Sequence, residues 1–193
     1  MKIGVLALQG AFIEHIRMLE SLGAQTVEIR QAADFTDDLD GIVLPGGEST
    51  AMGKLLRELG LMEPIKKALE NGLPAFGTCA GLILMAKHFE DSKFLHFELL
   101  DVTVRRHGYG RQLGSFSSNS EFSGIGTYPM VFIRGPYITG VGSGVTVLAK
   151  VDDKIVAVRQ GNLLGIAFHP ELTDDTRVHA YFMQMIKKSS GDK

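Results

Sequence analysis

This sequence has little cysteine, little net charge and few long apolar runs. The single cysteine in 193 residues cannot form an internal disulfide, so nothing favours an oxidising compartment and a cytoplasmic location is predicted. The formal net charge is −2 and basic residues occur in no run longer than a pair, which argues against a nucleic-acid partner. The apolar run at 2–8 ends at Gln9-Gly10 and is too short for a signal peptide or a membrane span. Neither nucleic acid nor a membrane is therefore expected as a partner.

The length and composition suit one globular domain. With 45% hydrophobic and 22% charged residues, the chain can bury a full core, and we expect a single domain over 1–193. The sequence contains no internal repeat, low-complexity segment or linker. A stretch rich in glycine and serine at 108–126 comes nearest to a linker, and we predict an ordered loop there.

Up to residue 90, the apolar residues follow the pattern of an α/β protein. The near-continuous apolar run at 2–8 is typical of a strand covered on both faces, and apolar residues at helical spacing follow over 12–22. Alternating strands and helices predict a three-layer α/β/α sandwich around a mostly parallel open sheet. Further strands are expected at 27–30, 41–44 and 73–76, and further helices at 51–59, 63–70 and 82–89.

The second half of the chain has shorter and less periodic elements. Short strands joined by turns are predicted there, and a closing helix follows them. The strands are expected at 99–105, 130–134, 145–150, 154–159 and 163–168, and the helix at 174–187.

The only cysteine lies in the pentapeptide Gly77-Thr78-Cys79-Ala80-Gly81, between an apolar strand and a helical stripe. Small neighbours let a chain leave a strand, reverse sharply and enter a helix, with the nucleophile exposed in a strained backbone position. A thiol at the positive end of a helix dipole is favoured as the thiolate. The pattern predicts a nucleophile elbow at Cys79. The alternative is a cysteine that serves as a small buried hydrophobe.

A general base and a group to orient it are found in His169-Pro170-Glu171, directly after the apolar strand at 163–168. Ligands of open α/β sheets bind beyond the carboxyl ends of the strands. In an extended chain, residues two apart point the same way, so Glu171 can hold one ring nitrogen of His169 while the other faces the thiol. The alternative is that His169 is only a polar cap at a strand end.

Other histidines compete for the role of base. His15 and His179 fall within predicted helices. His96 is a rival by spacing, because a carboxylate follows two residues later at Glu98. That pair precedes an edge-like strand instead of following a buried one, so we favour His169.

The turn Pro45-Gly46-Gly47-Glu48-Ser49 lies between a predicted strand and a predicted helix. Glycines let backbone N–H groups approach a ligand closely, and acyl transfer from an amide needs such donors for the developing oxyanion. The amides of Gly47 and Ala80 are therefore predicted to form an oxyanion hole, with simple helix capping as the alternative. No Gly-Lys-Ser/Thr sequence marks a P-loop here.

These motifs together resemble those of class I, triad-type glutamine amidotransferases. Additional segments make the chain similar, more narrowly, to the glutaminase subunits of pyridoxal 5'-phosphate synthases, and the likeness runs from residue 2 to about 186. It implies a flavodoxin-like or Rossmann-like fold. The segments that carry the likeness are Ile3–Gly10, Leu44–Thr50, Phe76–Gly81, Tyr109–Gln112 with Ser115-Phe116, Phe132–Pro136 and Phe168–Thr173.

The resemblance implies that Cys79 attacks the side-chain amide of L-glutamine, with His169 as base and then acid and Glu171 as its orienter. The products are glutamate and ammonia, and no metal or organic cofactor is needed. An arginine can pair with the α-carboxylate of glutamine, and Glu48 with its α-ammonium group. The residues expected to contact glutamine are Gly47, Glu48, Ser49, Arg106, Ile133 and Arg134.

The resemblance also implies a protein partner. In the family, ammonia passes to a (β/α)₈-barrel synthase subunit that assembles pyridoxal 5'-phosphate from a pentose phosphate and a triose phosphate. We therefore expect a glutaminase that is weak until this partner docks. Pyridoxal phosphate is then a product of the complex and not a cofactor of this chain.

One segment departs from the family pattern, and other functions compete with the narrow match. Arg105-Arg106-His107 stands where Glu-Arg-Asn is usual, which keeps Arg106 and makes its surroundings more positive. The rivals are an amidotransferase subunit for another synthase, a stand-alone cysteine hydrolase and a catalytically silent regulatory subunit. The filled triad positions favour an enzyme, and Ala80 directly after the cysteine disfavours hydrolases that carry their histidine there.

Overall fold

The computed structural model of the chain describes residues 1–90, 96–106 and 114–191. Among these residues, no helix is both long and apolar enough to cross a membrane. The helices are α1 Phe12–Ser21, α2 Ser49–Glu58, α3 Met62–Glu70, α4 Ala80–Met85 and α5 Arg177–Gly191, with 3₁₀ turns at Ala32–Asp34 and Pro170–Leu172. The strands are β1 Lys2–Leu6, β2 Gln25–Ile29, β3 Gly41–Leu44, β4 Ala75–Thr78, β5 Ala86–Phe89, β6 Leu100–Arg105, β7 Ser115–Phe122, β8 Gly126–Ile133, β9 Tyr137–Val141, β10 Thr146–Val151, β11 Lys154–Gln160 and β12 Leu163–Ile166.

The parallel half of the sheet consists of β2, β1, β3, β4 and β12, in that order. α1 connects β1 to β2, which lies on one side of β1 in this order. α2 and α3 connect β3 to β4, which lies on the opposite side, so the chain moves across the sheet in the other direction. Right-handed crossovers then place the two sets of helices on opposite faces. α1 contacts α5, and α2 contacts α3 and α4. β3, β4 and β12 are buried along their whole length, and the α/β fold expected from the sequence is confirmed.

The remaining strands, β5 to β11, form an extension of this sheet. β11 pairs antiparallel with β12 and is followed by β10, β7 and β8. β9 bridges β11 and β6, and β5 pairs in parallel with β6. The sheet is thus parallel where crossover helices cover it and mostly antiparallel where short turns connect consecutive strands.

The extension and the parallel half share one hydrophobic core. Phe168, just past the end of β12, packs against Phe132 and Tyr128 of β8 with ring centroids 5.7 and 6.0 Å apart. The next residue is tied to the same strand, because the backbone N–H of His169 donates to the carbonyl of Val131 over 2.7 Å. The position of His169 therefore depends on both parts of the sheet.

The helix predicted over 82–89 is wrong in its second half. α4 ends at Met85, Ala86 takes an extended ψ of 143°, and residues 86–89 form β5. Apolar periodicity in this stretch suits a helix, but pairing with β6 satisfies the backbone hydrogen bonds of β5 and decides the structure.

The ordered loop predicted over 108–126 is also partly wrong. Residues 115–122 form β7, which pairs with β8 in a continuous antiparallel register. Most of its side chains are polar because, up to the buried Phe122, they alternate between exposed and half-buried positions, so a serine-rich sequence still forms a strand. β9 has no counterpart among the predicted strands, and residues 107–113 lie outside the described part of the chain.

Candidate active site

The candidate site lies at the carboxyl edge of the parallel half, where the loops after β1, β3, β4 and β12 converge. Gly46 shows how closely they approach: a Cβ atom there would lie 2.6 Å from Cε1 of His169 and 3.6 Å from Cβ of Cys79. Such a contact with the imidazole is too short for any side chain. The absence of a Cβ at residue 46 therefore lets the imidazole, the cysteine and the glycine turn share one crevice.

Cys79 has the backbone that a nucleophile elbow requires. It stands between β4 and α4 with φ 51° and ψ −102°, a left-handed conformation that is costly for any residue except glycine. Its N–H donates to the carbonyl of Ile166 over 2.8 Å, which anchors the turn to β12. A Cβ at Gly81 would lie 1.9 Å from the carbonyl oxygen of Leu44, so only glycine lets the chain turn this close to β3.

His169 and Glu171 form a buried pair beside Cys79. Nδ1 of His169 is 2.7 Å from Oε1 of Glu171, and the carboxylate side chain is fully inaccessible to solvent. Burial opposes the charged imidazole, but hydrogen bonds to Cys79 and Glu171 outweigh it and raise the pKa of His169 to about 10. At neutral pH the imidazole is therefore protonated, and a protonated imidazole beside a sulfur stabilises the thiolate.

The route by which Glu171 reaches His169 differs from the expected one. An extended backbone was expected to align the two side chains, but Pro170–Leu172 form a 3₁₀ turn that begins immediately after His169. The turn brings the carboxylate back onto the ring. The second oxygen of Glu171 faces His15 of α1, with Oε2 3.4 Å from Nε2. The sequence places His15 in a helix but gives no sign of this contact.

A cavity of about 340 Å³ opens directly onto Cys79, a size that suits a small polar ligand. All six residues expected to contact glutamine line it, together with Ile83 of α4. The lining residues are Gly47, Glu48, Ser49, Cys79, Ile83, Arg106, Ile133, Arg134 and Pro136.

Arg106 is the most conspicuous polar group of the cavity. Its Nη1 donates to Oγ1 of Thr50 over 3.2 Å, and its guanidinium lies over the ring of Phe89. Its Nε and Nη2 atoms are buried and have no hydrogen-bond partner within the described residues. Buried donors of a charged group are costly to leave unpaired, so an anionic ligand group fits here.

Glu48 caps α2 and remains charged at the rim of the cavity. Its two carboxylate oxygens accept the N–H groups of Thr50 and Ala51 over 3.0 and 2.7 Å. Partial burial acts in the opposite direction, but these hydrogen bonds lower the pKa of Glu48. Helix capping and attraction of an ammonium group both use the same negative charge.

The departure at Arg105 has a local explanation. Nε of Arg105 donates to Oε2 of Glu90 over 2.6 Å, and the guanidinium also contacts Tyr137. The additional positive charge is therefore paired on the outer surface and does not face the cavity with Arg106. His107 lies outside the described residues.

The rival pair His96 and Glu98 does not form a catalytic arrangement. His96 is packed against Gly53 of α2, and burial followed by repulsion from Arg57 lowers its pKa to about 4. Glu98 points elsewhere, with Oε2 4.0 Å from Nζ of Lys66. Across residues 1–90, 96–106 and 114–191, no group of three histidine, cysteine or acidic side chains is placed to hold a metal ion.

Comparison of the sequence with known proteins gives a consistent result. Residues 5–188 match the model of a family described as the SNO glutamine amidotransferase family. The chain is 54% identical over 193 residues to "Pyridoxal 5'-phosphate synthase subunit PdxT" of Streptococcus pneumoniae, covering 98% of this chain and all of that protein. It is 55% identical over 190 residues to the protein of the same name from Haemophilus influenzae, covering 97% and 99% of the two chains.

Solved structures of glutamine amidotransferases are also similar to this chain. A crystal structure of a glutamine amidotransferase matches with a TM-score of 0.91 and 43% identity, over 96% of this chain and 98% of the other. A glutamine amidotransferase structure from Thermotoga maritima matches with a TM-score of 0.62 at 14% identity, over 98% and 85% of the two chains. The second likeness concerns the fold alone.

Proposed function

Because the chain belongs to the SNO glutamine amidotransferase family, we propose that it hydrolyses L-glutamine to L-glutamate and ammonia through a triad of Cys79, His169 and Glu171. The observation that carries this proposal is the strained Cys79, which lies against the buried His169–Glu171 pair at the base of a cavity. The whole of 1–193 acts as one glutaminase domain, without a metal or an organic cofactor, in the cytoplasm.

The reaction follows from these three groups. The thiolate of Cys79 attacks the side-chain amide carbon of glutamine, and the carbonyl electrons move to the oxygen. The imidazolium of His169 gives its proton to the leaving nitrogen, the C–N bond breaks, and ammonia departs from a thioester. Water then attacks the thioester while His169 takes its proton. The thiolate leaves, glutamate is released and the enzyme is restored.

The oxyanion is held by the backbone amides of Gly47 and Ala80. Ala80 directly follows the nucleophile at the start of α4, and Gly47 lines the cavity from the turn after β3. This turn is braced by Gln9, whose Oε1 accepts the N–H of Glu48 over 3.1 Å. Donors fixed in this way stabilise charge that develops only in the transition state.

The α-groups of glutamine bind at the wall opposite Cys79. The unpaired donors of Arg106 take the α-carboxylate, and the charge of Glu48 attracts the α-ammonium group. Ser49, Ile133 and Arg134 complete the enclosure. With its α-groups bound at that wall, glutamine extends its side-chain amide over Cys79.

The ammonia serves a partner, a (β/α)₈-barrel synthase subunit that makes pyridoxal 5'-phosphate. Support comes from the similarity to proteins named as subunits of that synthase, over nearly the whole length of each chain. Docking of the partner raises the glutaminase activity. The rivals are an amidotransferase subunit of another synthase, a stand-alone cysteine hydrolase and a catalytically silent regulatory subunit.

A glutamate-release assay with and without a cognate synthase subunit tests the proposal. We expect glutamate release that rises strongly with the synthase, and pyridoxal 5'-phosphate formation from glutamine, pentose phosphate and triose phosphate. Cys79→Ala should abolish both with glutamine but leave formation from ammonium salts. Full activity without any synthase would instead indicate a stand-alone hydrolase, and no release under either condition would indicate a silent subunit.

A further inference from the structure

Two buried histidines lie directly behind the candidate triad and have no role in the reaction above. His15 of α1 and His179 of α5 are both fully inaccessible, and Nδ1 of His15 is 2.8 Å from Nε2 of His179. Burial lowers the pKa of His15 well below 6.5, and it lowers the pKa of His179 to about 3. Both rings are therefore neutral in the folded protein, with one N–H each.

The contacts select one arrangement of these two protons. If His15 donated from Nδ1, its Nε2 lone pair would face the carboxylate of Glu171, and the N–H on Nδ1 of His179 would be buried without a partner. If His179 donates from Nε2, the remaining proton of His15 lies on Nε2. That proton then points to Oε2 of Glu171 at 3.4 Å and to Oγ1 of Thr78 at 3.2 Å. The second arrangement leaves no buried donor unpaired on either ring.

The proton on Nε2 of His15 faces the second carboxylate oxygen of Glu171. Oε1 is bound to His169, but Oε2 is fully buried and has no hydrogen bond within the described residues. A buried carboxylate without a donor on one oxygen is strongly disfavoured in its charged form. The imidazole of His15 faces Oε2 and is close enough to stabilise the charge, although the contact is long.

We propose that His15 is a positioning residue of the triad, held by His179 and Thr78 so that its Nε2–H keeps the carboxylate of Glu171 charged and aligned with His169. The inference rests on the proposed triad. It adds a line of side chains from α5 through α1 to the catalytic pair, built on three elements that only the tertiary fold brings together.

Packing alone does not account for the two histidines. Both rings make edge contacts with Phe76 of β4, with centroids 5.8 and 5.4 Å away, and an aromatic or aliphatic side chain would fill the same space. Burial of two imidazoles instead costs desolvation. A positioning role explains why imidazoles occupy this space despite the cost, because a hydrophobic side chain cannot donate to Glu171.

The effect should be visible in pH profiles. The titratable groups that face Glu171 are His169 on the same turn, His15 from α1 and Tyr128 from β8, whose hydroxyl donates to the carbonyl of Asp175. Without the contact from His15, the carboxylate of Glu171 supports the protonated form of His169 less well. The raised pKa of His169 then falls, and alkylation of Cys79 should move to a higher pH.

The experiment compares His15→Gln with His15→Asn. The glutamine amide reaches the position of Nε2 and can donate to Glu171, whereas the shorter asparagine reaches only the position of Nδ1. Two readouts are taken for each variant: glutaminase kcat and KM in the complex with the synthase, and the pH dependence of Cys79 alkylation by iodoacetamide. His88→Asn, at an exposed histidine of β5, is the control.

We expect His15→Asn to lower kcat about tenfold with little change in KM, because a contact of 3.4 Å supports the carboxylate less than a full hydrogen bond to a charged group would. Its alkylation midpoint should rise by about one pH unit. His15→Gln should recover most of both quantities. If both variants lose activity alike, or if the alkylation midpoint of His15→Asn equals that of the unmodified chain, the positioning role is wrong.

A second pair covers the case in which His15→Asn does not fold, as judged by circular dichroism. His179→Gln keeps a donor to His15, whereas His179→Leu removes it. A raised alkylation midpoint in the leucine variant alone supports the inference, and equal midpoints overturn it. Since alkylation needs no glutamine, a chain that shows these shifts but releases no glutamate would refute the proposed function and not the positioning role.

Discussion

The parallel half and the extension contribute different parts of the candidate site. Cys79 and His169 follow short strands of the parallel half that are buried on both faces, and His169 is in addition tied to β8 of the extension. Arg106 directly follows β6 and Ile133 ends β8, and both of these strands of the extension are longer and partly exposed. In the proposed reaction, the parallel half supplies the catalytic groups and also Glu48 and Ser49 of the glutamine-binding wall, whereas the extension supplies binding groups only. Substitutions of the catalytic groups and of Arg106 in the extension should therefore change different kinetic constants.

The largest effect is expected in the parallel half, at the nucleophile. Cys79→Ala removes the sulfur that forms the thioester, so kcat for glutamate release should fall by at least about 10⁴-fold. The measurement is the glutaminase rate in the complex, with Ser117→Ala on the exposed face of β7 as the control. A Cys79→Ala variant that keeps full activity, beside a synthase that has none, would show that the nucleophile lies elsewhere.

The next effect is expected at the orienting carboxylate. Glu171→Gln keeps the shape but removes the charge that helps to raise the pKa of His169, so kcat should fall about 10²- to 10⁴-fold while KM changes little. Glu121→Gln on β7 is the matched control. An unchanged kcat would mean that Glu171 has only a structural role.

A substitution in the extension should instead act on binding. Arg106→Gln removes the cation expected to pair with the α-carboxylate, so KM should rise about ten- to a hundredfold with kcat within a few-fold. Arg105→Gln is the control, because that guanidinium is paired with Glu90 on the outer surface. A variant of Arg106 in which kcat falls and KM stays the same would contradict the proposal that this part of the extension acts in substrate binding.

The smallest effect concerns stability in the parallel half. Because the folded pKa of His179 is about 3, the unfolded chain takes up the proton first as the pH falls below about 6.5, and stability is lost in the acid direction. This histidine should cost about 2 kcal/mol of unfolding free energy between pH 7 and pH 5. His179→Phe should reduce the pH dependence by that amount, whereas an unchanged slope would show that His179 is protonated in the fold.

Urea unfolding followed by circular dichroism is the appropriate measurement for that variant, since the chain contains no tryptophan. His169 has the opposite sign: its raised pKa contributes stability that is complete below pH 6.5 and is lost as the pH rises towards about 10. The contribution is present in both proteins, so it cancels in their difference.

Some parts of the site could be predicted from the sequence because their chemistry is local. The elbow at Cys79 needs small residues on both sides of the nucleophile, and the carboxylate of Glu171 is only two residues from His169. Recognition residues such as Arg106 have no local signature, and only resemblance to a family points to them. In the case of Arg106, the sequence alone offers only an arginine just after a predicted strand.

Other parts could not be predicted because tertiary pairing decides them. β5 has the apolar pattern of a helix and becomes a strand by pairing with β6. His15 and His179 are separated by 164 residues and meet only because α1 and α5 pack together. Their positions within helices argue against a role as the catalytic base, and that same placement puts His15 behind Glu171.

The whole proposed function depends on Cys79 as the nucleophile that attacks the side-chain amide. Covalent trapping by a diazoketone analogue of glutamine tests this assignment directly. Intact mass and peptide mapping of the inactivated complex should show one adduct per chain, on Cys79, and excess glutamine should slow its formation. The Cys79→Ala variant should remain unmodified. Inactivation with Cys79 unmodified, or an adduct on another residue, would contradict the assignment of Cys79 as the nucleophile.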